Sequence, residues 1–286
     1  MSLWNDLSWV ESLRTPFLTI FFEFISSLGY PTFLILFISF GYFYWSPSRF
    51  SRIVMMLFIS GFINAFFKDF FQDSRPAAEW MLDPKVGTSY GWPSGHAQIA
   101  VTLWGLLAYE LKNKWVTLGA VVLISLIVFS RLYLGVHDFG DVVGGLVIGG
   151  LILFIWHYAY TNEWYERFNK KTWLFLIIIF QIVIYNLYPT HEGHEISIWS
   201  LGAMIGWFLG FSNINLISHS IIRKLIMSIV ATILVFLFLI LTTHLENSLE
   251  DNQISELVWS YGLGMAFSMT VTWVIPRLFK KLRLAV

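Results

Sequence analysis

Long apolar runs, separated by short polar stretches and by Gly or Pro, dominate this chain. A helix that crosses the roughly 30 Å hydrocarbon core of a bilayer needs about 17–25 such residues. Nine stretches meet or approach that requirement: 31–46, 53–72, 93–110, 115–135, 139–160, 173–188, 196–211, 221–243 and 255–275. The connections between them are short, and neither an internal repeat nor a low-complexity tract interrupts the series, so one helical bundle is predicted. Ahead of the first run, Pro16 to Leu28 is apolar but too short to cross. It is interrupted by Glu23 and halted at Gly29-Tyr30-Pro31. In residues 2–14, Leu3, Leu7, Val10 and Leu13 share one helical face, whereas Asn5, Asp6, Glu11 and Arg14 lie elsewhere. That pattern predicts a helix lying in the membrane interface. The expected organisation is an interfacial segment at 1–30, a transmembrane core at 31–190, and further spans with a basic tail at 191–286. The opening Met1-Ser2-Leu3-Trp4-Asn5-Asp6 has neither a basic leader nor a small-residue cleavage pattern, so no removed signal peptide is expected.

Composition narrows the class. The 286 residues are 57% hydrophobic and only 13% charged, with a mean hydropathy of +0.67. A soluble domain carries about 25% charged residues; half of that leaves too few to cover a water-facing surface. A soluble globule and a disordered chain are excluded on that ground. The 18 basic and 18 acidic residues balance, so no long-range steering of polyanions is implied and a nucleic-acid partner is not expected. With no cysteine in the chain, disulfides, zinc thiolates and cysteine nucleophiles are excluded.

The cations alternate from loop to loop. Thirteen of the 18 (Arg49, Arg52, Lys112, Lys114, Arg167, Lys170, Lys171, Arg223, Lys224, Arg277, Lys280, Lys281 and Arg283) fall on one side of the nine-span arrangement. The positive-inside rule makes that side cytoplasmic, with the N-terminus outside and the C-terminus inside. The tail after Pro276 then reads as an anchor to anionic lipid. The other five are Arg14, Lys68, Arg75, Lys85 and Arg131.

Three of those five sit at apolar helix ends, where a cation is costly and suggests a function. Lys68 and Arg75-Pro76 close one run, Pro93-Ser94-Gly95-His96 opens the next, and Ser130-Arg131, His137 and Asp141 bridge the two that follow. All return to the same outer face. Arg offers planar bidentate donors matched to phosphate oxygens, and Lys adds a mobile charge. A helix beginning at Ser94-Gly95-His96 directs free N–H groups and a positive dipole end toward an anion, and Gly95 permits close backbone approach. His137 and Asp141, four apart on one helical face, allow the carboxylate to orient one ring nitrogen and leave the other for nucleophilic attack. His96 is placed to protonate a leaving oxygen. Each cluster alone has a plainer explanation: snorkelling anchors for Lys68 and Arg75, a chance helix start for Ser94-Gly95-His96, a structural cap or proton relay for His137 and Asp141. Together, in order and on one side, they suit the spread negative charge of phosphoryl transfer.

These patterns, K-x6-RP (Lys68, Arg75, Pro76), PSGH (Pro93 to His96) and SR-x5-H-x3-D (Ser130, Arg131, His137, Asp141), resemble the tripartite signature of the type 2 phosphatidic acid phosphatase (PAP2) superfamily, complete at every motif position. The resemblance covers about residues 30–160. It implies an all-α polytopic transmembrane helix bundle, with a six-helix core followed here by about three C-terminal spans. It implies His137 as the nucleophile that forms a phosphohistidine, Asp141 as its orienting partner and His96 as proton donor. Lys68, Arg75, Ser94, Gly95 and Arg131 would bind the phosphate, with no metal or other cofactor. Soluble acid phosphatases and vanadium haloperoxidases share this site, but the hydropathy opposes both. The integral-membrane branch acts on lipid phosphates, so a phosphorylated lipid is the expected partner. The length beyond six spans and Tyr90-Gly91-Trp92 before Pro93 are similar to sphingosine-1-phosphate phosphatases and glucose-6-phosphatases. A bacterial inner membrane with a periplasmic site, or an endoplasmic reticulum with a lumenal one, fits the outer face.

Outside the signature, the 77–92 segment roofs the clusters with Trp80, Lys85, Tyr90 and Trp92; it suits either a headgroup gate or an interfacial aromatic belt. His191, Glu192, His194 and Glu195 are explained more simply as an acidic turn than as a metal site. Two other functions remain open from sequence: a lipid phosphotransferase using the same intermediate, and a transporter using the intramembrane charges as a binding site.

Overall fold

Helix starts in this protein are set by proline and by capping side chains. The computed structural model describes residues 6–87, 89–187, 194–211, 220–246 and 253–284. After a single turn, α1 (Ser8–Glu11), Thr15 caps α2 (Pro16–Ser27) by accepting the Leu18 N–H, with Pro16 at the first helical position. Helices α3 (Pro31–Tyr44) and α4 (Pro47–Phe71) also begin at proline. Ser94 caps α5 (Gly95–Leu111), Asn113 caps α6 (Lys114–Tyr133), and Asp138 caps α7 (Phe139–Thr161). Then come α8 (Lys170–Leu187), α9 (His194–Gly210), α10 (Ile221–Glu246) and α11 (Gln253–Met269). A π turn at Thr270–Val274 joins α11 to α12 (Ile275–Lys281).

Among the described residues, five helical segments are long and apolar enough to cross a membrane: Pro47–Phe71, Lys114–Tyr133, Phe139–Thr161, Ile221–Leu245 and Leu257–Lys281. Counting the broken pair α2 and α3 as one gives six. The protein is therefore an all-α integral membrane protein. Three of the apolar stretches read from sequence, 93–110, 173–188 and 196–211, form helices of 17, 18 and 17 residues, at the lower limit for a crossing.

The chain forms two compact units that interleave along the sequence. The first comprises 1–33, 59–169 and 184–193, and the second 34–58, 170–183 and 194–286. In the first unit α5 packs against α6 and α7, and α2 packs against α6. Gly145 and Gly149 on α7 let the α5 backbone approach: a β-carbon on Gly145 would lie 2.5 Å from the Ser94 carbonyl oxygen. Leu7 and Val10, from the N-terminal stripe, are buried in a cluster with Leu132, Tyr133, Leu134 and Val136. Leu7 and Val10 are thus spent on protein packing, whereas Leu13 of the same stripe is exposed; residues 1–5, including Leu3, lie outside the described residues. In the second unit α9 and α11 meet through Gly202, Gly206 and Gly264, where any β-carbon would strike backbone. Small residues at such contacts are the usual device of membrane helix packing.

Candidate functional site

The first unit gathers every charged signature residue around one helix end. Lys68, in the last turn of α4, donates to the carbonyls of Tyr90 and of Gly91, the latter at 3.0 Å. The loop beyond α4 folds back on itself, with the Gly91 N–H on the Asp73 carbonyl at 2.8 Å. Arg75 is held there at three points: Nε on the Ser89 carbonyl at 2.6 Å, Nη2 on Ser89 Oγ at 2.7 Å, and Nη1 on the Val136 carbonyl at 2.7 Å. Such fixed geometry removes rotamer entropy from a long side chain before any ligand arrives.

Ser94 and Gly95 start α5 against α7 and α4. The Ser94 N–H donates to the Asp141 carbonyl at 2.9 Å, and its Oγ caps the Ala97 N–H. Glycine at 95 has a packing reason, since a β-carbon there would lie 2.9 Å from Asn64 Oδ1. Asn64 in turn bonds the Pro93 carbonyl and Gln98, and Gln98 bonds Ser60, a buried polar ladder between α4 and α5. These are side chains that the sequence pattern did not single out; their Ser60-Asn64 spacing, i and i+4 on an apolar helix, was the available signal.

His137 lies in the turn between α6 and α7, 2% exposed. Its Nδ1 is 2.9 Å from Asp141 Oδ2, and its Nε2 is 3.4 Å from Arg75 Nη1. A guanidinium has no lone pair to give, so Nε2 is the acceptor and the ring proton belongs on Nδ1, toward the carboxylate. Asp141 Oδ2 also accepts the Asp138 N–H at 3.2 Å, while the Asp141 N–H returns to Asp138 Oδ1 at 2.9 Å, a reciprocal cap. The other oxygen, Oδ1, is buried without a partner. Burial first, then the charges of Lys68, Arg75 and Arg131 and the nearby His96, hold the His137 imidazole well below the usual histidine range. The ring is therefore neutral at physiological pH, with a bare Nε2 among three cations. Burial, followed by the Arg131 charge, lowers the Arg75 guanidinium to about 10, so it stays protonated.

Arg131, in the last turn of α6, is fully buried. Its Nη1 donates to Ser26 Oγ and, at 3.1 Å, to Asp83 Oδ2. Asp83 also accepts from Tyr30 Oη at 2.6 Å. Burial pushes the Asp83 carboxyl up, but the Tyr30 hydrogen bond and then the Arg131 charge outweigh it, leaving a carboxylate below its usual range. Tyr30 packs its ring edge-on to His96, with centroids 4.6 Å apart. His96 Nε2 and Arg131 Nε are both buried without a hydrogen-bond partner, two polar atoms whose burial is costly unless something pairs with them.

The structure thus brings Lys68, Arg75, Arg131, His96, His137 and Asp141 within electrostatic reach of one another, with Ser94 and Gly95 behind them. It adds Asp83, Tyr30 and Ser26, which the spacing patterns missed because they come from irregular or N-terminal segments. In the 77–92 segment, the Trp80 carbonyl accepts from Arg14 at 2.7 Å and the Trp92 ring packs on Phe71 at 4.6 Å, so both tryptophans are anchored to protein. Among the described residues no group of three His, Asp or Glu side chains is arranged to hold a metal; His191 and Glu192, and the side chains of His194 and Glu195, lie outside them.

Comparison with known proteins shows what this arrangement is similar to. Residues 49–165 match the model described as PAP2 superfamily, and every signature position falls inside that range. Human sphingosine-1-phosphate phosphatase 2 is 30% identical over 148 residues, covering 49% of this chain and 37% of its own. Lipid A 4'-phosphatase of Porphyromonas gingivalis is 27% identical over 173 residues, covering 55% of this chain and 71% of its own. The crystal structure of a transmembrane PAP2-type phosphatidylglycerolphosphate phosphatase from Bacillus subtilis superposes with a TM-score of 0.50 at 28% identity, over 57% of this chain and 85% of that one. The chain spans about two fifths of the length of the human and mouse sphingosine-1-phosphate phosphatases.

Proposed function

We propose that the PAP2 superfamily domain at residues 49–165 makes this protein a metal-independent phosphatase of lipid phosphate monoesters or diphosphates, acting through a phosphohistidine on His137. One observation carries the reading: a neutral imidazole is tethered at Nδ1 to Asp141, while its lone-pair nitrogen lies 3.4 Å from Arg75. The names of the matched relatives, all phosphatases of phosphorylated lipids, support the substrate class.

In this reading the phosphoryl group enters between Arg75, Arg131, Lys68 and the first N–H groups of α5, which together neutralise its charge. Arg75 shifts its donor from His137 Nε2 to a phosphate oxygen, freeing the lone pair. Nε2 forms the N–P bond as the bond from phosphorus to the leaving oxygen breaks. His96, protonated on Nε2, gives that oxygen its proton. Asp141 holds the Nδ1–H and balances the positive charge that develops on the ring. Water then attacks phosphorus, losing its proton to His96, and the N–P electron pair returns to Nε2.

The charge distribution supports a nine-span arrangement with this site at the outer, periplasmic or lumenal, boundary; an anionic headgroup then reaches the cations while its chains stay in the bilayer. The test is phosphate release from a panel of lipid phosphates by the purified protein. Release from at least one lipid, inhibited by vanadate and unaffected by chelators, is the expected result. Lipid movement without hydrolysis, or activity abolished by a chelator, would contradict it.

A further inference from the structure

The second unit contains a cavity of about 470 Å³, lined in part by Ser51 and Met55 of α4, Lys170 of α8, Trp207 of α9, and Trp273 and Arg277 near the C-terminus. It shares no residue with the cluster around His137. Trp207 is 1% exposed, and its ring is fixed edge-on to Tyr42 and Phe58 at 5.5 and 6.2 Å. Its ring forms an apolar part of the wall. At the rim, the Arg277 guanidinium stacks 4.2 Å from the Trp273 ring and makes one long backbone contact, and the Lys170 ammonium sits 5.5 Å from the Phe208 ring. Among the described residues neither cation forms an ion pair with a carboxylate.

The occupant that satisfies all of these groups is amphiphilic. A free anion would neutralise Lys170 and Arg277 but leave the Met55, Trp207 and Trp273 walls against water. A purely apolar molecule would leave two cations unmet. We propose that this cavity binds the headgroup of an anionic glycerophospholipid, with its phosphate between Lys170 and Arg277 and its chains running out along the helices. Both cations belong to the loop set that charge asymmetry assigns to the cytoplasmic face, where such lipids concentrate. The inference does not depend on the catalytic reading.

Native mass spectrometry of the full chain, carrying His137→Ala and released from micelles doped with phosphatidylglycerol, tests it; that variant leaves binding to the cavity intact. One phosphatidylglycerol per chain should be retained, and phosphatidylcholine should not. Each of Lys170→Gln and Arg277→Gln should weaken retention about fivefold. Met55→Trp, which fills the cavity and keeps both charges, should also abolish retention. Lys280→Gln with Lys281→Gln removes two nearby cations that do not line the cavity and should leave it unchanged. Equal retention of phosphatidylcholine, equal loss in the Lys280/Lys281 variant, or displacement of the lipid by millimolar inorganic phosphate would overturn the proposal. Retention that survives both single-charge variants would do so as well.

Discussion

The two units pack their helices by the same device and use the result differently. In the first, Gly145 and Gly149 draw α7 onto α5; in the second, Gly202, Gly206 and Gly264 draw α9 onto α11. Beside the first seam, between α4 and α5, a buried polar ladder runs through Ser60, Asn64 and Gln98, and the same unit holds a cluster of charges tied to backbone or to a counter-charge. The second is lined by Trp199, Ala203, Tyr261 and Met265, and its nearest cations stand at a cavity rim stacked on aromatic rings. Close packing therefore does not mark a site in this protein. What marks it is buried charge held in place by part of its donors and acceptors while others, Arg131 Nε and Asp141 Oδ1 among them, are buried without a partner.

Arg75→Gln tests that contrast most severely. It removes a cation beside His137 that the proposed mechanism uses as a phosphate donor, and should lower kcat/KM by about a hundredfold. The remaining activity carries a second signature. The proposed mechanism needs neutral His137, whose lowered pKa should keep wild-type activity up as pH falls below the usual histidine range; losing one depressing cation should move the acidic limb of kcat/KM to higher pH. An unmoved limb would show that Arg75 does not act on the imidazole. Asp83→Asn should cost about 2 kcal/mol in kcat/KM, roughly thirtyfold, by leaving the buried Arg131 without its counter-charge. Unchanged kinetics would make Asp83 a bystander.

Gly145→Ala and Gly202→Ala give the smallest effects and the cleanest comparison. Each should lower the thermal midpoint by several degrees, reflecting about 1–3 kcal/mol of overpacking. Only Gly145→Ala, which displaces the Ser94 backbone, should also reduce activity per folded molecule. Equal losses of activity would mean that both seams serve the site.

Much of this was legible from residue order. Lys68, Arg75, His137 and Asp141 are read together because their apolar flanks put them at ends of successive runs, and the structure places them within contact or electrostatic reach; His137 meets Asp141 from the turn ahead of the α7 cap and not, as the spacing suggested, from one helical face. Asp83 was not legible, since it pairs with Arg131 across 48 residues from a loop that has no period to read. Tyr30 and Ser26 were equally hidden: the sequence shows a helix break at Gly29-Tyr30-Pro31 but not what the break turns toward. Hydropathy also registers apolar length without registering interruptions, so the run at 31–46 became α3, ending at Tyr44 and broken from α2. The division into units had no compositional signal, because the membrane-length helices of the second unit are both more and less apolar than those of the first.

The central claim is that Nε2 of His137 becomes covalently bonded to phosphorus. Rapid quenching of the protein during turnover of a hydrolysed lipid phosphate, followed by peptide mass analysis under alkaline conditions that preserve N–P bonds, addresses it directly. The account predicts a phosphorylated peptide containing His137, absent when His137→Asn is treated identically. Phosphate release at the wild-type rate by His137→Asn, or turnover in wild type with phosphate found on His96 or on no residue, would contradict it.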